Sequence, residues 1–146
     1  MNKNSNELLE YIYNDALMGT KSMKTLLNTL NDKDNKIKDV VEDILKEYDS
    51  YLKECKKLLS KQKITPEKPS ILAEIGSFMG IKMEMIKDNS DSRVADMIIK
   101  GLNMGVIDLG KKIEDFKDKA DKSTLSLAKR MKEMQADEIE ALKKFL

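Results

Sequence analysis

Two glutamates at matching places carry the first chemical possibility in this chain. Glu47 opens the segment Glu47-Tyr48-Asp49-Ser50 and Glu133 opens Glu133-Met134-Gln135-Ala136, and a shift of 86 residues lays one on the other. Carboxylates on facing helices hold hard cations such as manganese, iron or calcium through oxygen alone. An oxygen-only site wants more converging acids than these two, and the simpler reading is surface glutamates pairing with lysines one helical turn away. Glu138 is a third candidate, because the same shift places it where the earlier segment has Leu52. A carboxylate facing a core has a perturbed pKa and can line a pocket. The simpler alternative rotates the stripe locally, with Ile139 inward and Glu138 at the rim, since glutamate is rarely fully buried.

The chain has no histidine. That removes Ser-His-Asp and Cys-His nucleophilic centres and every imidazole metal ligand. The single cysteine, Cys55, cannot form an intrachain disulfide or a structural zinc site. A redox role would need an exposed, electropositive thiol, whereas Cys55 falls on an apolar stripe, where cysteine packs as a small hydrophobe. Lysine and arginine number 27 against 26 acids; with only Arg93 and Arg130 as arginines, nothing supports the basic surface that nucleic-acid binding requires. The opening MNKNSNELLEY has no apolar run of a signal peptide, and no stretch reaches the roughly 20 apolar residues of a membrane span. A cytoplasmic location is therefore expected.

The elements that must position these residues are helices. Glycine and proline are scarce, only 5% of residues are aromatic, and Met numbers 10, a composition that favours helix and a soft core. The first helix is expected to start near Asn4, with Glu7 completing a capping box. Leu9, Ile12, Ala16, Gly19, Met23, Leu26 and Leu30 then alternate spacings of three and four, the pattern of a helix packed along its neighbours. Asn31–Asn35 supplies a short turn, so the second helix runs back antiparallel, with a wide apolar stripe of Ile37, Val41, Ile44 or Leu45, Tyr48, Tyr51 or Leu52, Cys55 and Leu58 or Leu59. The segment Ile64-Thr65-Pro66-Glu67-Lys68-Pro69 holds both prolines and breaks the chain. A shorter, Met-rich third helix follows, with Leu72, Ile75, Met79, Met83 and Ile86. It reads as a packed crossover element; a docking surface or lid is the functional alternative. Ser90 caps a fourth helix bearing Ala95, Ile98, Leu102, Gly105, Leu109, Ile113 and Phe116, and a fifth carries Leu127, Met131, Met134, Ala141, Leu142 and Phe145.

The first and fourth helices repeat one another. Ala16-Leu17-Met18-Gly19 overlies Leu102-Asn103-Met104-Gly105, and the same shift carries Leu9, Ile12, Met23 and Leu30 onto Ala95, Ile98, Leu109 and Phe116, Lys46-Glu47 onto Lys132-Glu133, and Cys55 onto Ala141. The mid-helix glycines Gly19 and Gly105 are expected where the first and fourth helices cross closely; room for a ligand is the functional alternative. Two duplicated hairpins joined by a long crossover resemble the ferritin-like superfamily, most closely its small bacterial domains. That resemblance implies a Glu on one helix of each hairpin and Glu-x-x-His on the other. Glu47 and Glu133 match the second motif, but Ser50 and Ala136 stand at the histidine positions. With Glu47 opposite Met18 and Gly19, and Glu133 opposite Met104 and Gly105, the partner carboxylates are also replaced.

These observations predict an all-α, ferritin-like up-down four-helix bundle. It comprises two helical hairpins with an extra short helix in the crossover. One domain is expected over 1–146, with hairpins over about 5–62 and 91–146 and the crossover helix over about 70–87. The expected function is non-catalytic, a protein-interaction or structural module with no catalytic, cofactor-binding or metal-ligating residue and no cofactor. Its expected partner is another protein, a second copy included, rather than nucleic acid. The alternatives are a carboxylate-only metal protein, serving oxidation or storage, and a carrier of a small apolar ligand.

Overall fold

A computed structural model describes residues 2–66, 81 and 88–146. Those residues form four α-helices and no strand: α1 (Lys3–Thr29), α2 (Lys38–Lys61), α3 (Asp91–Phe116) and α4 (Lys122–Leu142), followed by a 3-10 turn at Lys143–Phe145. The crossover helix expected over 70–87 lies, apart from helical Ile81, outside the described residues.

Three of the helices carry their own N-terminal caps. Asn2, rather than the expected Asn4, caps α1 and accepts from Ser5 N at 2.7 Å, so the Glu7 capping box is not used. Ser90 caps α3 and Asp121 caps α4, each accepting a backbone N–H three residues on. Helix α2 starts from apolar Ile37, which offers no side-chain cap. Asp91 supplies one from the first turn of α3: its carboxylate accepts from Lys36 N at 3.2 Å and Ile37 N at 3.4 Å, while Asn35 Nδ2 donates to it at 2.9 Å. The start of α3 therefore lies beside the start of α2. The opposite end of the bundle is tied by Asn2 Nδ2 donating to Lys119 O at 2.9 Å and Asp121 N donating to Ser5 Oγ at 2.7 Å. Helix α2 spans 24 residues, about 36 Å at 1.5 Å per residue. Helices α2 and α3 are thus parallel, and the bundle runs up, down, down, up.

The core follows the apolar stripes closely. On α2, the buried members are Val41, Ile44, Tyr48, Leu52, Cys55 and Leu59, whereas Leu45, Tyr51 and Leu58 flank them half-buried. On α4, Leu127, Ala128, Met131, Met134, Gln135 and Leu142 are buried, but Ala141, expected on the stripe, is exposed. The repeat explains that correction. Between α1 and α3 the shift is 86 residues, as from Gly19 to Gly105; between the buried positions of α2 and α4 it is 87, as from Ile44 to Met131, Tyr48 to Gln135 and Cys55 to Leu142. The chain gains one residue between α3 and α4, within the second hairpin, so Glu47 and Glu133 are not equivalent positions. Glu138 then matches half-buried Tyr51, not Leu52, and it lies at the rim with half-buried Ile139 beside it.

The slip also changes what the glycines do. A Cβ at Gly19 would stand 2.6 Å from a ring carbon of Tyr48, and one at Gly105 would stand 2.7 Å from Gln135 Nε2. Each glycine admits a side chain of its own hairpin partner, where a close crossing of α1 over α3 had been expected. No atom comes within 4 Å of a Cβ at Gly101. Alanine substitution should therefore separate the three in urea denaturation. Gly19→Ala loses about 1–3 kcal/mol, because a buried ring cannot retreat. Gly105→Ala loses less, since the Gln135 side chain can shift at the expense of its hydrogen bonds. Gly101→Ala gains about 0.5–1 kcal/mol from helix propensity alone.

Candidate functional site

Three polar side chains meet inside the bundle. Gln135 of α4 is completely buried, and its Nε2 donates to Asp15 Oδ2 of α1 at 3.1 Å and to the Tyr48 hydroxyl oxygen of α2 at 3.2 Å. Asp15 stands three residues after Ile12 and four before Gly19, on the shoulder of the α1 stripe, and is partly buried. Tyr48 reaches this point because Gly19 leaves its ring room, and Gln135 because Gly105 does. Gln135 Oε1 is buried and has no hydrogen-bond partner among the described residues.

Burial governs the electrostatics here. It pushes the Asp15 carboxyl up to about 6; the Gln135 hydrogen bond opposes the shift and the like charge of Asp108 on α3 adds to it. Burial and the nearby Asp15 charge also hold the Tyr48 hydroxyl well above the ordinary range. Tyr11, one turn before Asp15, is raised to about 12 by burial, then by Asp15 and Asp108. Lys112 Nζ of α3 stands 5.2 Å above the Tyr11 ring centroid.

Asp15 forms part of the wall of a cavity of about 280 Å³ between α1 and α3. From α1 come Met18, Gly19, Ser22, Met23 and Leu26; Tyr48 comes from α2, Met97, Ile98, Gly101 and Leu102 from α3, and Ile81 from the chain between the hairpins. The chamber is apolar over most of its wall. An engineered hydrophobic cavity of ~150 Å³ is enough for benzene, so this one has the size for a molecule somewhat larger.

The glutamates singled out in the sequence lie elsewhere. Glu47 and Glu133 share an outer groove between α2 and α4 with Tyr51, Arg130, Asp137 and Glu138. Both glutamates are exposed. Tyr48, not Glu47, occupies the place opposite Gly19, and Gln135, not Glu133, the place opposite Gly105. Burial raises the Glu138 carboxyl, followed by repulsion from Glu47, Asp43 and Asp137. Among the described residues, no three Asp, Glu or Cys side chains are placed to hold one metal ion. Cys55 is fully buried and burial pushes its thiol up to about 12, consistent with packing rather than redox work. The exposed apolar side chains include Met104 and Ile107 on α3, at 65% and 50% exposure.

Asp15 and Gln135 escaped the pattern reading as site residues. Asp15 is one of many acids, although its spacing from Ile12 and Gly19 marks an inward shoulder. Gln135 is hidden by the register slip. No family model, curated protein or solved structure matches the chain. No described helix is long and apolar enough to cross a membrane.

Because the folded-state pKa of Asp15 is raised from 3.8 to about 6, its ionisation opposes folding. The unfolded chain releases this proton first, so stability is lost as pH rises from about 4 to about 6 and the loss is complete above. Asp15→Asn keeps an acceptor for Gln135 and removes that loss. The substitution should be nearly neutral at pH 4 and stabilising by on the order of 2 kcal/mol at pH 7.5, read from denaturant midpoints. Equal effects at both pH values would contradict the burial of this carboxylate.

Proposed function

We propose that this chain is a non-catalytic binding protein on a ferritin-like bundle, and that it holds a small, largely apolar molecule in the chamber between α1 and α3. The observation that carries the reading is the cavity of about 280 Å³, lined by apolar Met18, Met23, Met97 and Leu102 and by polar Asp15 and Tyr48. Ligand pockets combine a mostly apolar wall with a few convergent polar groups, and this chamber has that composition. The ferritin-like part is supported by the parallel pair α2 and α3 and the duplicated hairpins, since one long crossover between hairpins characterises that topology. Absence of histidine and exposure of Glu47 and Glu133 favour binding over di-metal chemistry.

The test uses 2-phenylethanol as probe, with amide shifts followed by NMR on the full chain. Saturable shifts should concentrate at Gly19, Met23, Met97 and Gly101, and Gly101→Leu, which extends a side chain at the chamber wall, should abolish them. Scattered, non-saturating shifts would defeat the reading. A parallel assay of metal content after reconstitution with iron and manganese should give a ratio near zero; one or two metals per chain would favour the carboxylate-only alternative.

A further inference from the structure

The chamber wall carries one charge. Among the described residues lining it, Asp15 is the only ionisable group other than Tyr48, and the remainder are apolar or small apart from Ser22. Asp15 Oδ2 takes the Gln135 amide proton, and no described residue donates to Oδ1. No described lysine or arginine pairs with this carboxylate. From its own helix it faces Tyr11, from α2 Tyr48, from α3 Asp108 and from α4 Gln135, all neutral or of the same sign, while Lys112 of α3 lies over the Tyr11 ring and makes no ion pair with Asp15. A carboxylate withdrawn from water calls for an opposite charge, and the helices packed around Asp15 do not supply it.

We propose that the chamber takes a small primary amine, its ammonium seated on Asp15 and its hydrocarbon body lying among Met18, Met23, Met97 and Leu102. This rests on the chamber being a ligand site. An ammonium group brings three donors and no acceptor, which suits the acceptor-only carboxylate and the Ser22 hydroxyl. An anionic ligand would meet Asp15 and Asp108 with like charge. A bare metal ion would find one carboxylate and two hydroxyls, far short of an oxygen shell. A neutral alcohol fits the apolar part and leaves the carboxylate unpaired. Methionine sulfur favours an aromatic body, through contacts at the ring edge.

The experiment is calorimetric titration of the full chain with three near-isosteres: 2-phenylethylamine, 2-phenylethanol and 3-phenylpropanoate. The amine should bind about ten- to a hundredfold more tightly than the alcohol, the range expected for a hydrogen bond to a charged group, and the carboxylate should not bind. Asp15→Asn, which keeps the acceptor for Gln135, should erase the preference for amine while leaving the alcohol's affinity in place. Equal binding of amine and alcohol by the unmodified protein overturns the amine proposal and leaves the chamber standing. So does an amine preference that survives in Asp15→Asn. If neither amine nor alcohol binds the folded protein, the chamber reading falls, and the amine proposal with it.

Discussion

Side-chain amide N–H donors sealed from solvent need acceptors on other helices, and in this bundle that demand is set by Gln135. Its Nε2 bridges Asp15 on α1 and Tyr48 on α2, so one group from α4 holds three helices at a single height. Displacing α4 along its axis by one residue would carry the amide away from both partners and leave all three polar groups stranded in a low-dielectric interior, where such groups are costly. The apolar stripes alone tolerate sliding far better, because methionines and leucines repack. Gly19 and Gly105 are consequences of the same arrangement: each is small because the ring or the amide beside it needs the volume.

Much of the architecture was legible. The spacing from Leu9 to Leu30 marks a helix whose stripe is buried, the turn around Asn31–Asn35 reverses the chain, and Ser90 caps where its type and place say it should. The centre of the molecule was less legible, for a specific reason. A repeat aligned on the first helices keeps its phase only while the connections are equally long. The extra residue before α4 rotates the second match by about 100° of helix, which turns Ala141 outward and Gln135 inward and sets Glu133 on the surface. Residue type pointed the same wrong way: glutamates attract attention as ligands, whereas a glutamine among lysines and glutamates on a polar-looking helix does not.

Asp15 shows what such a centre costs. An aspartate whose proton is held up to about 6 by burial lowers the stability of the fold at neutral pH. An asparagine could accept the same amide hydrogen bond without that penalty. Perturbed carboxylates that are not needed for packing concentrate at functional sites, and this one lies on the wall of the mostly apolar hollow between α1 and α3. The acidic groove outside α2 and α4 differs in kind: Glu47 and Glu133 face water, with Arg130 joined to Glu54 at 2.9 Å beside them.

The parallel course of α2 and α3 has an electrical consequence. Each helix begins with unpaired N–H groups and a partial positive charge of roughly half an elementary unit, and here two such ends stand side by side. Antiparallel neighbours would offset each other's ends; parallel ones repel. Asp91 lies in the first turn of one helix while accepting from the backbone ahead of the other, so a single negative group is shared by both positive poles. The pairing of the two hairpins thus depends at this end on a counter-ion built into the chain, much as a lattice of like charges is held by the ion between them.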